Sequence, residues 1–339
     1  MTADAHDRGP GGRVLLAGAA GFLGSHLTDR LLQDGFDVTG VDNLLTGRLE
    51  NLAHLDGHAG FRLLIADVIK PLDLPGPFDW VLHFASPASP TRYMAHPVET
   101  LRANSEGTYH LLELAKRTGA RFLLASTSEV YGDPNVHPQD ERYPGNADAV
   151  DSRSVYHEGK RYAEALTTSV ARQSGVGVRI VRIFNTYGPR MDPADGRVVT
   201  NFIVQALRGE PLTLYGDGSQ TRSLQYVDDL IEGVRRMMTV DYGAPVNLGS
   251  ASEHTIRELA KLVLEVTGSA STIQPGPLRP DDPRRRRPDI TLARRLLDWQ
   301  PTVPLRLGLS RTVEHLRPRV APANDPPSLS TPVARSTGP

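Results

Sequence analysis

Short runs of consecutive apolar residues recur along the first half of the chain, and segments with helical spacing separate them. Strands that are covered on both faces need such continuous runs, whereas strands with one face in water alternate apolar and polar residues. The pattern therefore predicts an α/β fold built on a doubly wound parallel sheet. The predicted strands contain residues 14–16, 38–41, 63–65, 80–82, 122–124 and 178–181.

Helical periodicity is clearest over residues 22–34, where Leu23, Leu27 and Leu31 recur at every fourth position, and over residues 98–117. Further along the chain the pattern changes to separated helices and short strands, which predicts a smaller α/β domain. Its predicted helices are 201–207, 229–238, 255–266 and 292–298, and its predicted strands are 212–215 and 246–248.

These patterns divide the chain into four segments. Residues 13–188 are predicted to form the domain of the parallel sheet and residues 189–316 the smaller domain, with some exchange of chain between the two. Residues 1–12 are polar and rich in Gly, and residues 317–339 are rich in Pro, Ser and Ala. Such segments cannot bury enough apolar surface to offset the entropy of ordering, so both ends are predicted to be disordered.

Composition narrows the classes of partner and of chemistry. The chain has 38 basic and 39 acidic residues, so its charge gives no reason to expect nucleic acid or an anionic membrane as a partner. Cysteine is absent, which excludes disulfides and cysteine nucleophiles and fits a cytoplasmic location. The sequence has no run of 18 apolar residues, no secretory leader and no HExxH motif, so neither a membrane nor a metal is expected.

Gly18, Gly21 and Gly24 follow the first predicted strand and open the first predicted helix. A glycine turn at this point lets backbone N–H groups approach a pyrophosphate, which the positive end of the helix also attracts. Asp42 ends the second predicted strand, where a carboxylate accepts hydrogen bonds from a ribose diol and repels a 2′-phosphate. The combination predicts a Rossmann-type domain that binds NAD. The further cofactor contacts expected are Phe22, Leu23, Asn43, Thr46, Gly47, Asp67, Val68, Phe84 and Ser86.

Tyr156 and Lys160 are four residues apart in a predicted helix over residues 154–174. This spacing places both side chains on one helix face, so the ammonium group can lower the pKa of the phenol from about 10 toward working pH. A phenolate can act as general base toward a sugar hydroxyl while hydride leaves the same carbon. Thr127 and Glu129 follow the fifth predicted strand, from which they would face the same cavity.

The chain resembles the extended short-chain dehydrogenase/reductases, and within them it is most similar to the UDP-glucuronate decarboxylase family. The resemblance extends from about residue 13 to residue 317. The most specific stretches are ASPASP at 85–90, ASTSEVYG at 125–132, RIFNTYGPRM at 182–191, DGRVV at 195–199, YGDGSQTR at 215–222 and RRPDI at 286–290.

The resemblance implies a reaction in which NAD oxidises the C4 hydroxyl of UDP-glucuronate, with Tyr156 as base. The 4-keto sugar then loses CO₂, C5 is protonated, and the hydride returns to C4, which gives UDP-xylose and regenerates a tightly bound NAD. Thr127 would stabilise developing charge on O4, a contact often worth about 3 to 4 kcal/mol. Glu129 would lie beside the departing carboxylate and Arg286 would belong to the acid/base machinery. Which of these two handles the C5 proton stays open.

The resemblance also implies contacts and a quaternary structure. Helices 98–117 and 154–174 would pair with those of a second copy as a four-helix bundle, which gives a homodimer. Cofactor contacts carried over by motif are Ala125, Tyr156, Lys160, Thr186 and Arg197, and contacts to the UDP-sugar are Pro87, Ser89, Arg102, Asn185, Tyr215, Gln220, Arg222 and Arg286.

Several residues depart from the family pattern. His157 stands where the decarboxylases usually have Asp, and we expect it either to face solvent or to shift substrate choice or pH optimum. Ala103 replaces a more usual threonine beside the cofactor, and residues 149–152 differ from the family's Gly/Pro-containing segment.

Three other functions are alternatives to decarboxylation. A UDP-glucuronate 4-epimerase would perform the same oxidation but usually lacks the glutamate at Glu129, and a sugar-nucleotide 4,6-dehydratase would carry Asp at Ser128. A non-catalytic NAD-binding regulator is disfavoured because Tyr156, Lys160 and Thr127 are all present.

Two further features have ordinary structural interpretations. The arginines at 284–287 are flanked by Asp281, Asp282 and Asp289 in a chain of nearly neutral charge, which argues against a nucleic-acid site. His83 follows an apolar run and is interpreted as a core or cofactor-adjacent histidine rather than a metal ligand.

Overall fold

A seven-stranded parallel sheet forms the centre of the structure, a computed structural model that describes residues 11–277 and 285–320. The strands are β1 (Gly12–Ala17), β2 (Phe36–Asp42), β3 (Phe61–Ile65), β4 (Trp80–His83), β5 (Arg121–Thr127), β6 (Val178–Ile183), β7 (Thr186–Tyr187), β8 (Leu212–Tyr215), β9 (Thr221–Ser223), β10 (Gln225–Tyr226), β11 (Pro245–Leu248), β12 (Glu253–Thr255) and β13 (Ile273–Gly276). The central sheet has the order β11-β6-β5-β4-β1-β2-β3, and all its pairings are parallel. The predicted α/β fold with a doubly wound parallel sheet is confirmed.

Helices cover both faces of this sheet. They are α1 (Phe22–Gln33), α2 (Pro90–Ala95), α3 (Pro97–Arg102), α4 (Thr108–Thr118), α5 (Ser154–Ser174), α6 (Val198–Arg208), α7 (Val227–Thr239), α8 (Ile256–Thr267), α9 (Thr291–Leu297) and α10 (Leu305–Leu316). The adjacent residues Leu15 and Leu16 of β1 are both fully buried, in apolar clusters on opposite faces of the sheet. This double burial explains why the strands read as continuous apolar runs.

The predicted single helix over residues 98–117 is wrong in one respect. One wide π-helical turn, Ala103–Gly107, separates α3 from α4. A π-helical turn interrupts the regular pattern of backbone hydrogen bonds. The carbonyl of Ala103 lies 3.2 Å from Nε2 of the fully buried His83 on β4, so this turn also provides a partner for a core side chain.

The later part of the chain contributes to the central sheet and also builds small sheets of its own. Strand β11 pairs with β6 at the sheet edge, although its residues fall in the predicted second domain. The small sheets pair β7 with β10, β9 with β12 and β8 with β13. The division at residue 188 into two domains stays a prediction.

The ends of the described chain are more ordered than expected. Strand β1 begins at Gly12, residues Arg317–Arg319 form a short 3₁₀ turn after α10, and Val320 is buried. The prediction of disorder is therefore wrong at Gly12 and at residues 317–320, because these residues pair or pack against the fold. Gly11 is also described. The other residues of the two predicted disordered ends, 1–10 and 321–339, lie outside the described ranges. No helix within residues 11–277 and 285–320 combines the length and apolarity needed to cross a membrane.

Candidate active site

A cavity of about 800 Å³ opens at the carboxyl ends of the central strands and is lined by residues from both halves of the chain. A smaller cavity of about 80 Å³ adjoins it and shares Gly18, Gly21, Thr46, Phe84 and Ser86 as walls. The carboxyl edge of a doubly wound sheet is where ligands of such folds bind. The two cavities therefore form the candidate site.

The glycine turn between β1 and α1 lies against the large cavity. Gly18 has φ of +86°, and a Cβ atom on Gly24 would lie 1.9 Å from the carbonyl oxygen of Gly18. Only glycine permits this close return of the backbone. Gly21 caps the amino end of α1 without a side-chain partner, so the first N–H groups of the helix are available to an anion. Phe22, Leu23 and Gly24 also line the cavity, as predicted.

The carboxylate of Asp42 lies in the smaller of the two cavities. One of its oxygens accepts a hydrogen bond from the N–H of Ala20 and the other from that of Leu44, both at 2.9 Å. Burial raises the pKa of Asp42, and these two hydrogen bonds oppose that shift. The other predicted residues that line this cavity are Asn43, Gly47, Asp67, Val68 and Pro87.

This end of the site fits an adenosine ribose. An acidic group stands there, and a Cβ atom on Gly47 would lie 2.6 Å from Asp42 Oδ1. Pro87, expected near the sugar, lies at this cofactor end instead.

Tyr156 and Lys160 are both buried on the inner face of α5 and line the large cavity. Lys160 donates a hydrogen bond to the carbonyl of Ala125 at 2.8 Å, and its Nζ lies 6.0 Å from the centroid of the Tyr156 ring. Burial lowers the pKa of Lys160 to about 7, which Glu164 opposes. Burial also raises the pKa of Tyr156, against a hydrogen bond with Thr127.

Glu129 is held beside this pair by two arginines. Its Oε1 lies 2.9 Å from Nη2 of Arg153 and 3.5 Å from Nη1 of Arg286, and its N–H donates to the Thr127 hydroxyl at 3.2 Å. Contacts between a guanidinium group and a carboxylate are strong and fix the orientation of the side chain. The site thus combines a phenol, an ammonium group and a carboxylate in one cavity wall.

Tyr93 and Arg153 also belong to the site, although no motif in the sequence predicts them. Tyr93 is fully buried, its ring stacks on that of Tyr156, and its hydroxyl accepts a hydrogen bond from Nε of Arg153 at 3.0 Å. Arg153 precedes Tyr156 by three residues, about one helical turn, and that spacing is a signal for its proximity. For Tyr93 the signal is its position three residues after the ASPASP stretch.

The predicted substrate contacts are brought together with two exceptions, Pro87 and Arg102. Arg102 is exposed and pairs with Glu106 at 2.8 Å, outside both cavities, because helix α3 directs it away from the site. The hydroxyl of Ser89 is buried at the cavity wall and has no hydrogen-bond partner among the described residues. The other predicted contacts that line the large cavity are Asn185, Tyr215, Gln220, Arg222 and Arg286.

Two predicted cofactor contacts, Thr186 and Arg197, also line the large cavity. Arg197 pairs with Asp195 at 2.5 Å, and the hydroxyl of Thr186 donates to the carbonyl of Phe184 at 2.9 Å. Both side chains are therefore fixed by their own loop. Ala125, Thr46, Phe84 and Ser86 line it as well.

His157 and His83 are both buried, and each lies against a backbone carbonyl group. His157 does not face solvent: it is buried, and its Nε2 lies 2.9 Å from the carbonyl oxygen of Asp148. Burial lowers the pKa of His83 to about 3, so this residue is neutral. Within the described ranges no group of three or more acidic or histidine side chains has the arrangement of a metal site.

Three charged residues join separate segments at the cavity wall. Asp192 forms ion pairs with Arg48, at 2.8 Å, and with Arg92. Arg48 follows β2, Arg92 lies on α2 and Asp192 follows β7, and all three line the large cavity. We call this triad the Asp192 clasp.

Comparisons with known proteins agree with this geometry. The sequence model of the NAD dependent epimerase/dehydratase family matches residues 14–249. UDP-glucuronic acid decarboxylase 1 of Danio rerio is 54% identical over 303 residues, which is 89% of this chain and 72% of that protein. UDP-glucuronic acid decarboxylase 5 of Arabidopsis thaliana is 50% identical over 309 residues, which is 91% of this chain and 90% of that protein.

Solved structures share the fold over nearly the whole chain. UDP-glucose 4-epimerase of Thermotoga maritima, crystallised with UDP-glucose, is 31% identical with a TM-score of 0.83 and covers 91% of this chain and 100% of its own. UDP-glucuronic acid 4-epimerase of Bacillus cereus, in complex with UDP-glucuronic acid and NAD, is 28% identical with a TM-score of 0.82 and covers 91% and 99%. The chain therefore belongs to the NAD dependent epimerase/dehydratase family.

Proposed function

We propose that the protein is a UDP-glucuronate decarboxylase that forms UDP-xylose and CO₂. The observation that carries this proposal is the position of Glu129, held between Arg153 and Arg286 in the cavity that also contains Tyr156 and Lys160. The relatives that are 50% and 54% identical to this chain bear the decarboxylase name, whereas the epimerases with a similar structure are 28% and 31% identical.

The cofactor is NAD, which when bound accepts a hydride from sugar C4 and later returns it. The glycine turn at Gly18–Gly24 would hold the pyrophosphate, because its N–H groups and the amino end of α1 face the cavity. Asp42 would accept hydrogen bonds from the adenosine ribose. A 2′-phosphate would meet the same carboxylate at close range, which favours NAD over NADP.

Tyr156 is the base that removes the proton from the C4 hydroxyl. Burial raises the pKa of its phenol, so the phenolate needs the positive charge of Lys160 and the hydrogen bond of Thr127 to form near neutral pH. Both groups are in place. The same phenol returns the proton when the C4 alcohol is restored.

Decarboxylation follows from the ketone at C4. The bond between C5 and the carboxylate breaks, and its electron pair passes into the C4 carbonyl, so that negative charge develops on O4. The hydroxyls of Thr127 and Tyr156 stabilise that oxygen, and a proton then adds to C5. Glu129 and Arg286 are the acid/base candidates on the side of the departing carboxylate.

We further propose that NAD stays bound between turnovers. The Asp192 clasp ties the loop after β2, which borders the cofactor end, to helix α2 and to the loop after β7. Opening the cavity would require breaking these ion pairs, which slows release of a ligand beneath them. The cofactor is thus regenerated in place in each cycle.

A second copy of the chain is the proposed partner of helices α3, α4 and α5. These helices pack beside one another and leave Val98, Leu101, Tyr109 and Tyr162 exposed. Adjacent exposed apolar side chains are typical of an interface. We propose a homodimer formed by this face as a four-helix bundle; the cytoplasmic location stays a prediction.

The test is a proton NMR time course of the purified protein with UDP-glucuronate and no added NAD. We expect UDP-xylose to appear with release of CO₂. UDP-galacturonate as the sole product would instead assign an epimerase. The Tyr156→Phe variant, which keeps the ring but loses the base, is the control and should retain bound NAD without turnover.

A further inference from the structure

A third ionisable residue continues the face of α5 that carries the proposed base and its lysine. Glu164 follows Lys160 by four residues, as Lys160 follows Tyr156, and residues at this spacing lie above one another along a helix. Glu164 does not line the cavity and has no place in the mechanism above. Its position one helical turn from Lys160 nevertheless connects it to the proposed acid/base residues.

Consecutive residues of strand β5 form hydrogen bonds with this face of α5. The carbonyl of Ala125 accepts a hydrogen bond from Lys160 at 2.8 Å, and the hydroxyl of Ser126 donates to Oε1 of Glu164 at 2.5 Å. The next residue, Thr127, is the hydrogen-bond partner of Tyr156. Lysine, glutamate and tyrosine of one helix are therefore each fixed by consecutive residues of one strand.

Arg182 on β6 holds the carboxylate of Glu164 through two hydrogen bonds. Its Nε and Nη2 donate to the two oxygens of Glu164 at 2.9 and 2.7 Å, and both side chains are largely buried. Bidentate pairs of this kind are strong and geometrically specific. Arg182 is held in turn by the hydroxyl of Tyr131, to which its Nη1 donates at 2.9 Å.

The other groups around Lys160 and Tyr156 do not supply this negative charge to the lysine. His83 of β4 is neutral and, if protonated, would repel Lys160. Glu129, Arg197 and Tyr93 act on Tyr156. Among the described residues, Glu164 is the anion that favours the charged form of Lys160.

We propose that Glu164 is a positioning residue, which keeps Lys160 positively charged in its buried site and thereby lets Tyr156 act as base. The inference rests on the proposed function only through the role of Tyr156. It gives the ion pair between Glu164 and Arg182 a part in the reaction, although neither side chain of the pair belongs to the acid/base set assigned above.

The first test compares the pH dependence of kcat in the wild type and in Glu164→Gln. Without the carboxylate, Lys160 loses its proton at lower pH and Tyr156 needs higher pH to ionise. The bell-shaped profile should therefore narrow from both sides, each limb moving by about half a pH unit or more, and its maximum should fall. Glu164→Asp, which keeps the charge, should largely restore the profile.

A matched control is Glu232→Gln. Glu232 is likewise paired with arginine, in its case with both Arg30 and Arg236, but lies on α7 away from Lys160. Its profile should match that of the wild type. A uniform loss of kcat at every pH in Glu164→Gln, with unmoved limbs, would show a purely structural role and overturn the proposal.

The second test does not depend on turnover. The difference in near-ultraviolet phenolate absorbance between a protein and its Tyr156→Phe partner, titrated with NAD present, gives the ionisation of Tyr156 alone. We expect its midpoint to rise in Glu164→Gln even if the substrate assignment fails, and an unchanged midpoint would refute the inference. Should an unpaired Arg182 prevent folding, Glu164→Gln/Arg182→Met removes both charges and should move the midpoint in the same direction.

Discussion

The rings of Tyr93 and Tyr156 are stacked, with centroids 5.1 Å apart and planes 5° from parallel. The hydroxyl of Tyr93 also receives a hydrogen bond from Arg153, which pairs with Glu129. One side chain thus contacts the proposed base and, through Arg153, the carboxylate. The distance between these two catalytic groups is set by a residue outside the cavity lining.

Replacing Tyr93 should separate the effects of its ring and of its hydroxyl. Tyr93→Leu removes the stacked ring, so we expect kcat to fall about 10- to 100-fold, because misplacement of a catalytic group by a fraction of its size has such effects. Tyr93→Phe keeps the ring and should lose only a few-fold. Steady-state kinetics with UDP-glucuronate measures both, and equal losses in the two variants would argue against the stacking.

Glu129→Gln should uncouple oxidation at C4 from completion of the turnover. The amide keeps the shape of the side chain but cannot exchange a proton with C5, so the steady-state rate of CO₂ release should fall about 10²- to 10⁴-fold. Reduced nicotinamide should then accumulate, visible by its absorbance. Glu210 is partly exposed, and its Oε1 lies 4.0 Å from Nη1 of Arg208; it provides the control Glu210→Gln, which is expected to act like the wild type. Full CO₂ release by Glu129→Gln would remove Glu129 from the mechanism.

Lys160 should make stability depend on pH in a defined window. Its pKa is lowered from 10.5 to about 7 in the folded protein, so the unfolded chain binds this proton more tightly. Because of Lys160, the free energy of unfolding therefore decreases as pH falls from 10.5 to about 7. Below that pH this residue causes no further decrease. Lys160→Met removes this effect.

Relative to the wild type, the melting temperature of Lys160→Met should rise as pH falls through that window and then level off. The variant should also be inactive. Lys116, an exposed lysine that pairs with Glu113 at 3.6 Å, gives the control Lys116→Met, for which a flat difference is expected. A flat difference for Lys160→Met as well would mean that its ammonium group is solvated.

Asp192→Asn should shorten the lifetime of bound NAD. The substitution removes the charge that pairs with Arg48 and Arg92, so the clasp opens more often and the cofactor leaves several-fold faster at low salt. The amount of NAD that remains after repeated gel filtration measures this loss. Glu265→Gln, which breaks the surface ion pair with Arg306, should leave retention unchanged. Equal retention of NAD by the wild type, Asp192→Asn and Glu265→Gln would show that the Asp192 clasp does not hold the cofactor.

Leu101→Glu should produce a monomer if α3, α4 and α5 form the interface. A carboxylate in the middle of an apolar interface is left without water or a partner. Ile65→Glu is the matched control, because Ile65 is also an exposed apolar residue, 54% exposed against 40% for Leu101, and lies on β3, away from these helices. Light scattering gives the mass of each protein, and a dimer that survives Leu101→Glu would place the interface elsewhere.

Local signals in the sequence predict much of the fold. Helix α5 has the predicted bounds because its apolar spacing persists until Gly175, which adopts φ of 74° and ends the helix. The glycine turn is predictable because the backbone between β1 and α1 must turn tightly, and Asp42 is predictable because it ends the neighbouring strand β2. In these segments the sequence alone determines the local structure.

Relationships between distant segments could not be predicted in this way. Tyr93 and Tyr156 are brought together by packing of α2 against α5, and no periodicity encodes that contact. Arg102 matches a motif, yet one helical turn directs it to Glu106 instead of the cavity. His157 is buried through a loop carbonyl at Asp148, which a helical pattern does not reveal.

The sheet edge at β6 has a consequence for synthesis of the protein on the ribosome. Strand β11, which covers that edge, ends at Leu248, and β6 ends at Ile183. At translation rates of about 5 to 20 residues per second, the edge stays open for roughly 3 to 13 s. During that interval the nascent chain offers unpaired N–H and C=O groups to its neighbours, so crowding of ribosomes on one message would favour misassembly.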